Sequence, residues 1–332
     1  MSQPSLNELL KQTSRSFYLT LRVLPRAVRP QIGLAYLLAR TTDTIADTEI
    51  IPAEKRLQAL QQLRDRILGL HNNVLDFSEL ARHQGVPAER ELLDRCEASL
   101  ALLVELSEAD LPRVRKVLEI ISSGQRLDLE RFAGAATAKV LALKTEAELD
   151  DYTYRVAGCV GEFWTTICRA HLFPSEILDE AKLLADGIRF GKGLQLVNIL
   201  RDLPVDLRKG RCYLPADKLA AIGMQPADLL QIGSASKFRP LYEHYLDLAE
   251  THLAAGWAYT NAIPRGQVRV RLGCAWPILI GLETIKRLRA ASILNPNSRI
   301  KISRSNVRRL LLRSVLRYPF PAAWQRLAPM PV

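Results

Sequence analysis

Leu194-Gln195-Leu196-Val197-Asn198-Ile199-Leu200-Arg201-Asp202-Leu203-Pro204-Val205-Asp206 sets polar groups into an otherwise apolar stretch. Gln195, Asn198 and Asp202 fall at i, i+3 and i+7, so a helix presents them on one face. Leucine, valine and isoleucine fill the remaining positions from 194 to 200, so the helix is expected to be buried. A carboxylate in such a setting needs a cationic partner, and Arg201 stands beside Asp202. Pro204 has no amide hydrogen and is expected to end or distort the helix after Asp202. Asp206 is then expected on the following loop.

The pattern has an earlier copy. Tyr36 to Asp47 carries Arg40, Asp43 and Asp47 behind the apolar residues Ile32, Leu34, Leu37 and Leu38. Residues four apart on a helix lie about 6 Å apart along its axis, so the two carboxylates repel unless a cation sits with them. One such motif reads as a solvated helix end. Two, each with an arginine and an apolar background, do not. Hard oxygen donors of this kind suit Mg2+, which keeps waters and takes its other ligands from substrate phosphates. Arginines bind the same phosphates bidentately. Gly191-Lys192-Gly193 is not followed by a third glycine, so neither a P-loop nor a dinucleotide fingerprint is present.

Working outward, most of the chain reads as helix. Leu60, Leu63, Ile67 and Leu70 form one apolar stripe, Leu92, Leu93, Cys96, Leu100 and Leu103 a second, and Val114, Val117, Leu118 and Ile121 a third. Glu146–His171 reads as one longer helix, and Leu241, Tyr245, Leu248, His252 and Ala255 mark another. Alternating β-branched runs are missing, so no sheet is expected. The prolines fall mostly between the periodic stretches, and no linker interrupts them. The expectation is an all-α fold with one large helical domain over residues 1–317, followed by a loosely held, proline-rich tail over 318–332.

Composition narrows the function classes. In 332 residues, 48% hydrophobic and 24% charged side chains exclude a disordered chain. Five scattered cysteines without a CxxC pair fit a reduced, cytoplasmic compartment. Five histidines without HExxH spacing argue against zinc. No apolar run is long enough for a signal peptide or a membrane span. The net charge of +11 suits an anionic substrate or an anionic membrane surface. Nucleic acid is not expected, because aromatics are few and not interleaved with the basic residues. The basic residues concentrate from Arg265 to Arg326, which makes peripheral contact with the cytoplasmic face of a membrane an expectation.

Four segments together resemble the squalene/phytoene synthases, the head-to-head prenyl-diphosphate synthases. They are Thr13–Phe17 (TSRSF), Arg40–Asp47 (RTTDTIAD), Tyr152–Gly161 (YTYRVAGCVG) and Gln195–Pro215, which holds the second acidic motif and its exit loop. The resemblance implies an isoprenoid-synthase fold with a central cavity. It implies Mg2+ held by Asp43, Asp47, Asn198, Asp202 and Asp206. It implies that Ser14, Arg15, Ser16, Arg40, Arg201 and Arg211 hold diphosphate, that Gln195 belongs to the substrate site, and that Tyr152 contacts diphosphate and supports proton transfer. Val156, Ala157, Gly158 and Gly161 would let a prenyl chain lie against their helix, the alternative being tight helix–helix packing. Phe17 and the Cys274–Pro277 segment are cavity-lining candidates with a plain core reading beside them. Asp128 reads as a surface acid.

Within the family, the single aspartate opening Asp43–Asp47 and the TSRSF element look like the squalene branch. That branch joins two farnesyl diphosphates to presqualene diphosphate and then reduces it to squalene with NADPH. Lys301–Arg309 resembles a basic flap implicated in NADPH binding, which makes Lys301 and Arg304 the cofactor candidates. Val205 stands where the family usually has glutamate, and Ala46 replaces a common acid; both lower the local negative charge. The alternatives are a reductant-independent phytoene or dehydrosqualene synthase, an enzyme that stops at presqualene diphosphate, and a catalytically dead relative acting as a binding partner.

Overall fold

The computed structural model describes residues 6–13, 17–295 and 300–328. They gather into two compact units: the described residues up to 130 with 163–175, and 131–162 with the described residues from 176 onward.

The first unit holds α1 (Leu6–Thr13), α2 (Phe17–Val23), α3 (Arg29–Asp47), α4 (Ala53–Leu68), α5 (Ser78–Arg82), α6 (Pro87–Asp94), α7 (Cys96–Ala101) and nearly all of α8 (Leu111–Arg131). The second apolar stripe is therefore two helices, broken between Asp94 and Cys96. Pro30 lies in the first turn of α3, where a missing amide hydrogen costs nothing. Ile32, Leu34, Leu37, Leu38 and Ile45 of α3 are buried, and Leu63, Leu92 and Leu118 are buried in the same unit. A buried polar knot also holds this unit. Asp110 accepts hydrogen bonds from Gln31 Nε2 (3.1 Å), Arg113 Nη1 (2.9 Å) and His171 Nε2 (2.9 Å).

The second unit contains α9 (Glu146–Thr153), the start of α10 (Cys159–Leu172), α11 (Glu180–Arg208), α12 (Ala216–Ala221), α13 (Ala235–Ala262), α14 (Val268–Arg289), α15 (Arg304–Arg317) and α16 (Pro321–Gln325). The single helix expected over Glu146–His171 is interrupted: over Tyr154–Gly158 the ladder widens to a π turn, and the Cys159 amide reaches back to Tyr154 O. Leu196, Ile199, Leu200 and Leu203 of α11 pack in one core with Phe238, Tyr242, Tyr245 and Leu253 of α13 and Ala275, Ile278 and Leu279 of α14. Two short strands, β1 (Leu141–Ala142) and β2 (Arg211–Cys212), pair in parallel. Gly210, which leads into β2, has φ +76°, and a Cβ there would lie 2.3 Å from Ala136 N.

Residues 318–328 are packed where a loose tail over 318–332 was expected. Trp324 is buried, stacks on Trp257 with ring centroids 5.1 Å apart, and donates from Nε1 to Asn261 Oδ1 (2.8 Å). The Arg271 guanidinium lies 5.6 Å from the Trp324 ring and 5.5 Å from the Tyr318 ring. Aromatic burial and cation–π attraction therefore dock a proline-rich segment that composition alone reads as loose.

Candidate active site

The two acidic motifs lie in different units, and each is built differently. In the first unit, Arg40 bridges Asp43, one turn away on α3, and Glu89 of α6. Burial first, and then the neighbouring charge of Asp47, push the Asp43 carboxyl up from its ordinary value, with Arg40 pulling the other way. Burial opposes the Arg40 charge, but Asp43 and Glu89 outweigh it and keep the guanidinium protonated. Arg56 donates to the Ala46 carbonyl near the end of α3. Local spacing carries no sign of Glu89, because it lies 49 residues away from Arg40.

In the second unit, Arg201 grips Asp202 with two hydrogen bonds, Nε at 2.9 Å and Nη2 at 2.5 Å. Those bonds raise Arg201 above its ordinary value, against the effect of burial. The expectation that Pro204 ends the helix is overturned. Helix α11 runs on to Arg208, and Asp206 sits on it one turn after Asp202. Proline at 204 leaves the Leu200 carbonyl without its helical donor. The fully buried Tyr242 of α13 fills that gap, its Oη donating to Leu200 O at 3.0 Å. Asn198 and Val205 are exposed on the same helix, and Gln195 is half-buried.

Tyr152, at the end of α9, is buried and stacks on Tyr213 at 4.8 Å, and Phe132 meets Tyr213 edge-on at 5.1 Å. Arg211 opens β2, two residues before Tyr213. The ring pair thus joins the tyrosine helix to the exit loop of the second acidic motif. Tyr154 differs from Tyr152: its Oη donates to Glu162 (3.0 Å), and burial and that carboxylate push it up to about 12.

The small-residue helix favours the packing reading. A Cβ on Gly161 would lie 1.9 Å from Gly187 O, and one on Gly191 would lie 2.2 Å from Ala157 O. Backbone of α11 therefore fills the space beside Gly161. A Cβ on Gly158 would meet the side chains of Tyr154, Ile188 and Lys192, at 3.1–3.3 Å. Val156 and Ala157 are half-buried.

Ser14, Arg15 and Ser16 lie outside the described residues, and Phe17 opens α2. Lys301 and Arg304 are exposed around the start of α15, whose first turn is capped by Ser303. Cys274 is buried within α14, in keeping with its core reading. Asp128 is half-buried on α8, near the buried Ser122 and Gln125. Among the described residues the Ser122 Oγ and Gln125 Oε1 have no hydrogen-bond partner. Sequence spacing placed Gln125 beside Asp128 but gave no sign of this polar patch.

The donor set fits Mg2+. Among the described residues no cluster of three or more His, Cys, Asp or Glu could hold a metal by itself. Each motif offers two carboxylates one turn apart, which is what a cation completing its shell with water and phosphate oxygens requires. For a nicotinamide cofactor the fit rests on the two exposed cations Lys301 and Arg304.

Comparison with known proteins bears on this arrangement. The squalene/phytoene synthase profile matches residues 10–306. A presqualene diphosphate synthase of Rhodopseudomonas palustris is 28% identical over 301 residues, covering 90% of this chain and 92% of that one. A squalene synthase of Schizosaccharomyces pombe is 25% identical over 93% of this chain, which spans 64% of that protein's length. A ligand complex of TcSQS shares the fold, with TM-score 0.78 and 22% identity, over 97% of this chain and 87% of that one.

Proposed function

The chain belongs to the squalene/phytoene synthase family, and from that premise we propose that it condenses two farnesyl diphosphates head to head. The product is presqualene diphosphate, which the same chain then reduces to squalene with NADPH. The observation that carries the reading is the pair of acidic motifs, each with its own arginine: Arg40 on Asp43 and Arg201 on Asp202.

Asp43 and Asp47 would hold Mg2+ at the first motif, and Asn198, Asp202 and Asp206 at the second. When bound, Mg2+ stabilises the negative charge that develops on a departing diphosphate. Arg40, Arg201 and Arg211 supply further positive charge to diphosphate oxygens, as guanidinium forks do well. Tyr152 contacts diphosphate, and its ring is held by stacking on Tyr213. Apolar side chains keep water from the allylic cation. Lys301 and Arg304 serve NADPH through its phosphates.

A second reading ends at presqualene diphosphate. The similarity to the R. palustris protein over nearly the full length of both chains favours it. Product analysis of the purified chain with farnesyl diphosphate and Mg2+, with and without NADPH, separates the two. Squalene formed only with NADPH supports the first reading. Presqualene diphosphate accumulating under both conditions supports the second, and a hydrocarbon formed without NADPH refutes both. Asp43→Asn and Asp202→Asn are each expected to abolish product. Unchanged product from either variant would remove the metal role of that motif.

A further inference from the structure

Helix α15 has two apolar faces, and the fold uses one. The inner face turns on Ser314, which is fully buried and accepts a hydrogen bond at Oγ from Trp276 Nε1 of α14 (3.0 Å). Val307, Leu310 and Leu311 share that side and are half-buried. On the side away from Ser314, Leu312 and Leu316 stand one turn apart, 60% and 62% exposed. Val315 is exposed at the edge of the same surface, and Phe320 is exposed just past the helix end. Single exposed apolar residues are ordinary, and Val74, Val104 and Ile177 are examples here. Four within nine residues form a patch that no other described residue covers.

The charges around the patch have one sign. Arg308 and Arg309 precede the two leucines and Arg313 lies between them, all exposed. Among the described residues none of the three has an ion-pair partner. The sequence has no aspartate or glutamate after Glu283, so no acid from this region can neutralise them. By contrast, Arg289 on α14 is held by Glu243, Asp247 and Glu250.

We propose that the outer face of α15 docks the chain on an anionic lipid surface. A row of leucines between arginines matches the boundary between headgroups and acyl chains. The leucines enter the apolar layer, while the arginine stems lie along it and carry their charge out to the lipid phosphates. Duplex nucleic acid would use the arginines but leave Leu312 and Leu316 without a role. The proposal does not depend on which product the enzyme makes.

Co-sedimentation of the full chain with vesicles tests it, using phosphatidylcholine alone and phosphatidylcholine mixed with phosphatidylglycerol. Capture is expected on the mixed vesicles only, weakening as salt rises. Leu312→Ser with Leu316→Ser is expected to lower partitioning about tenfold, since binding scales with buried apolar area. Arg308→Glu and Arg309→Glu are each expected to lower it about fivefold. All four positions are exposed, so helix content by circular dichroism should not change. Equal capture by neutral vesicles, no capture at low salt, or leucine variants that bind like the unaltered chain would overturn the proposal. Retention on duplex DNA without vesicle capture would also overturn it and assign the arginines to nucleic acid.

Discussion

Single residues show most directly where physical chemistry departs from local pattern. His252 lies on an apolar stripe of α13 and reads as core. Its Nδ1 is buried without a partner, and burial, then Arg189 and Lys192, push its pKa down to about 4 from 6.5; Asp150 pulls weakly the other way. As pH falls, the unfolded chain takes up the proton first. The associated stability is therefore present above about 6.5 and is lost as pH drops toward 4. Melting temperatures across that window should fall more steeply for the native chain than for His252→Gln. Matching slopes would mean that His252 is protonated in the fold without penalty. At this same scale the acidic motifs were legible: Asp43, Asp47, Asp202 and Asp206 declare themselves by residue type and spacing. Glu89 was not, because its tie to Arg40 comes from helix packing between segments distant in sequence.

Elements test the rules that sequence reading applies to them. The helical periods of α3, α4, α8, α11 and α13 were legible because each buries one apolar stripe. The continuation of α11 past Pro204 was not, because the group that makes it tolerable sits on another helix. Tyr242→Phe leaves the buried Leu200 carbonyl without a donor and is expected to cost about 1–3 kcal/mol in urea unfolding. Pro204→Ala restores a backbone amide that can reach that carbonyl, so the double variant should recover part of the loss. Strict additivity of the two changes would deny the coupling. The glycines of the π-turn region make a second contrast. Gly161→Ala drives a methyl into Gly187 backbone and is expected to cost about 3 kcal/mol or more, whereas Gly158→Ala meets movable side chains and should cost less. Similar losses in the two would argue that the helices part easily at this crossing.

At the scale of the whole molecule, the all-α class was legible, and the division into two compact units was not. Long-range packing sets such divisions, and no linker composition marks this one. The C-terminal segment teaches the same point, since Trp324 finds Trp257, Asn261 and Arg271 only once α13 and α14 exist. Trp324→Ala is expected to destabilise the second unit by about 3–5 kcal/mol, read as a lower urea midpoint for that unit. An unchanged midpoint would mean that the segment rests on the surface without supporting it. The five cysteines, all buried and none in a disulfide, give the means to follow each unit separately. Cys96 and Cys168 belong to one unit, and Cys159, Cys212 and Cys274 to the other. A thiol reagent with mass detection thus turns the native sequence into two independent clocks of opening, with no label introduced. The order in which the two sets are modified tells which unit lets solvent in first.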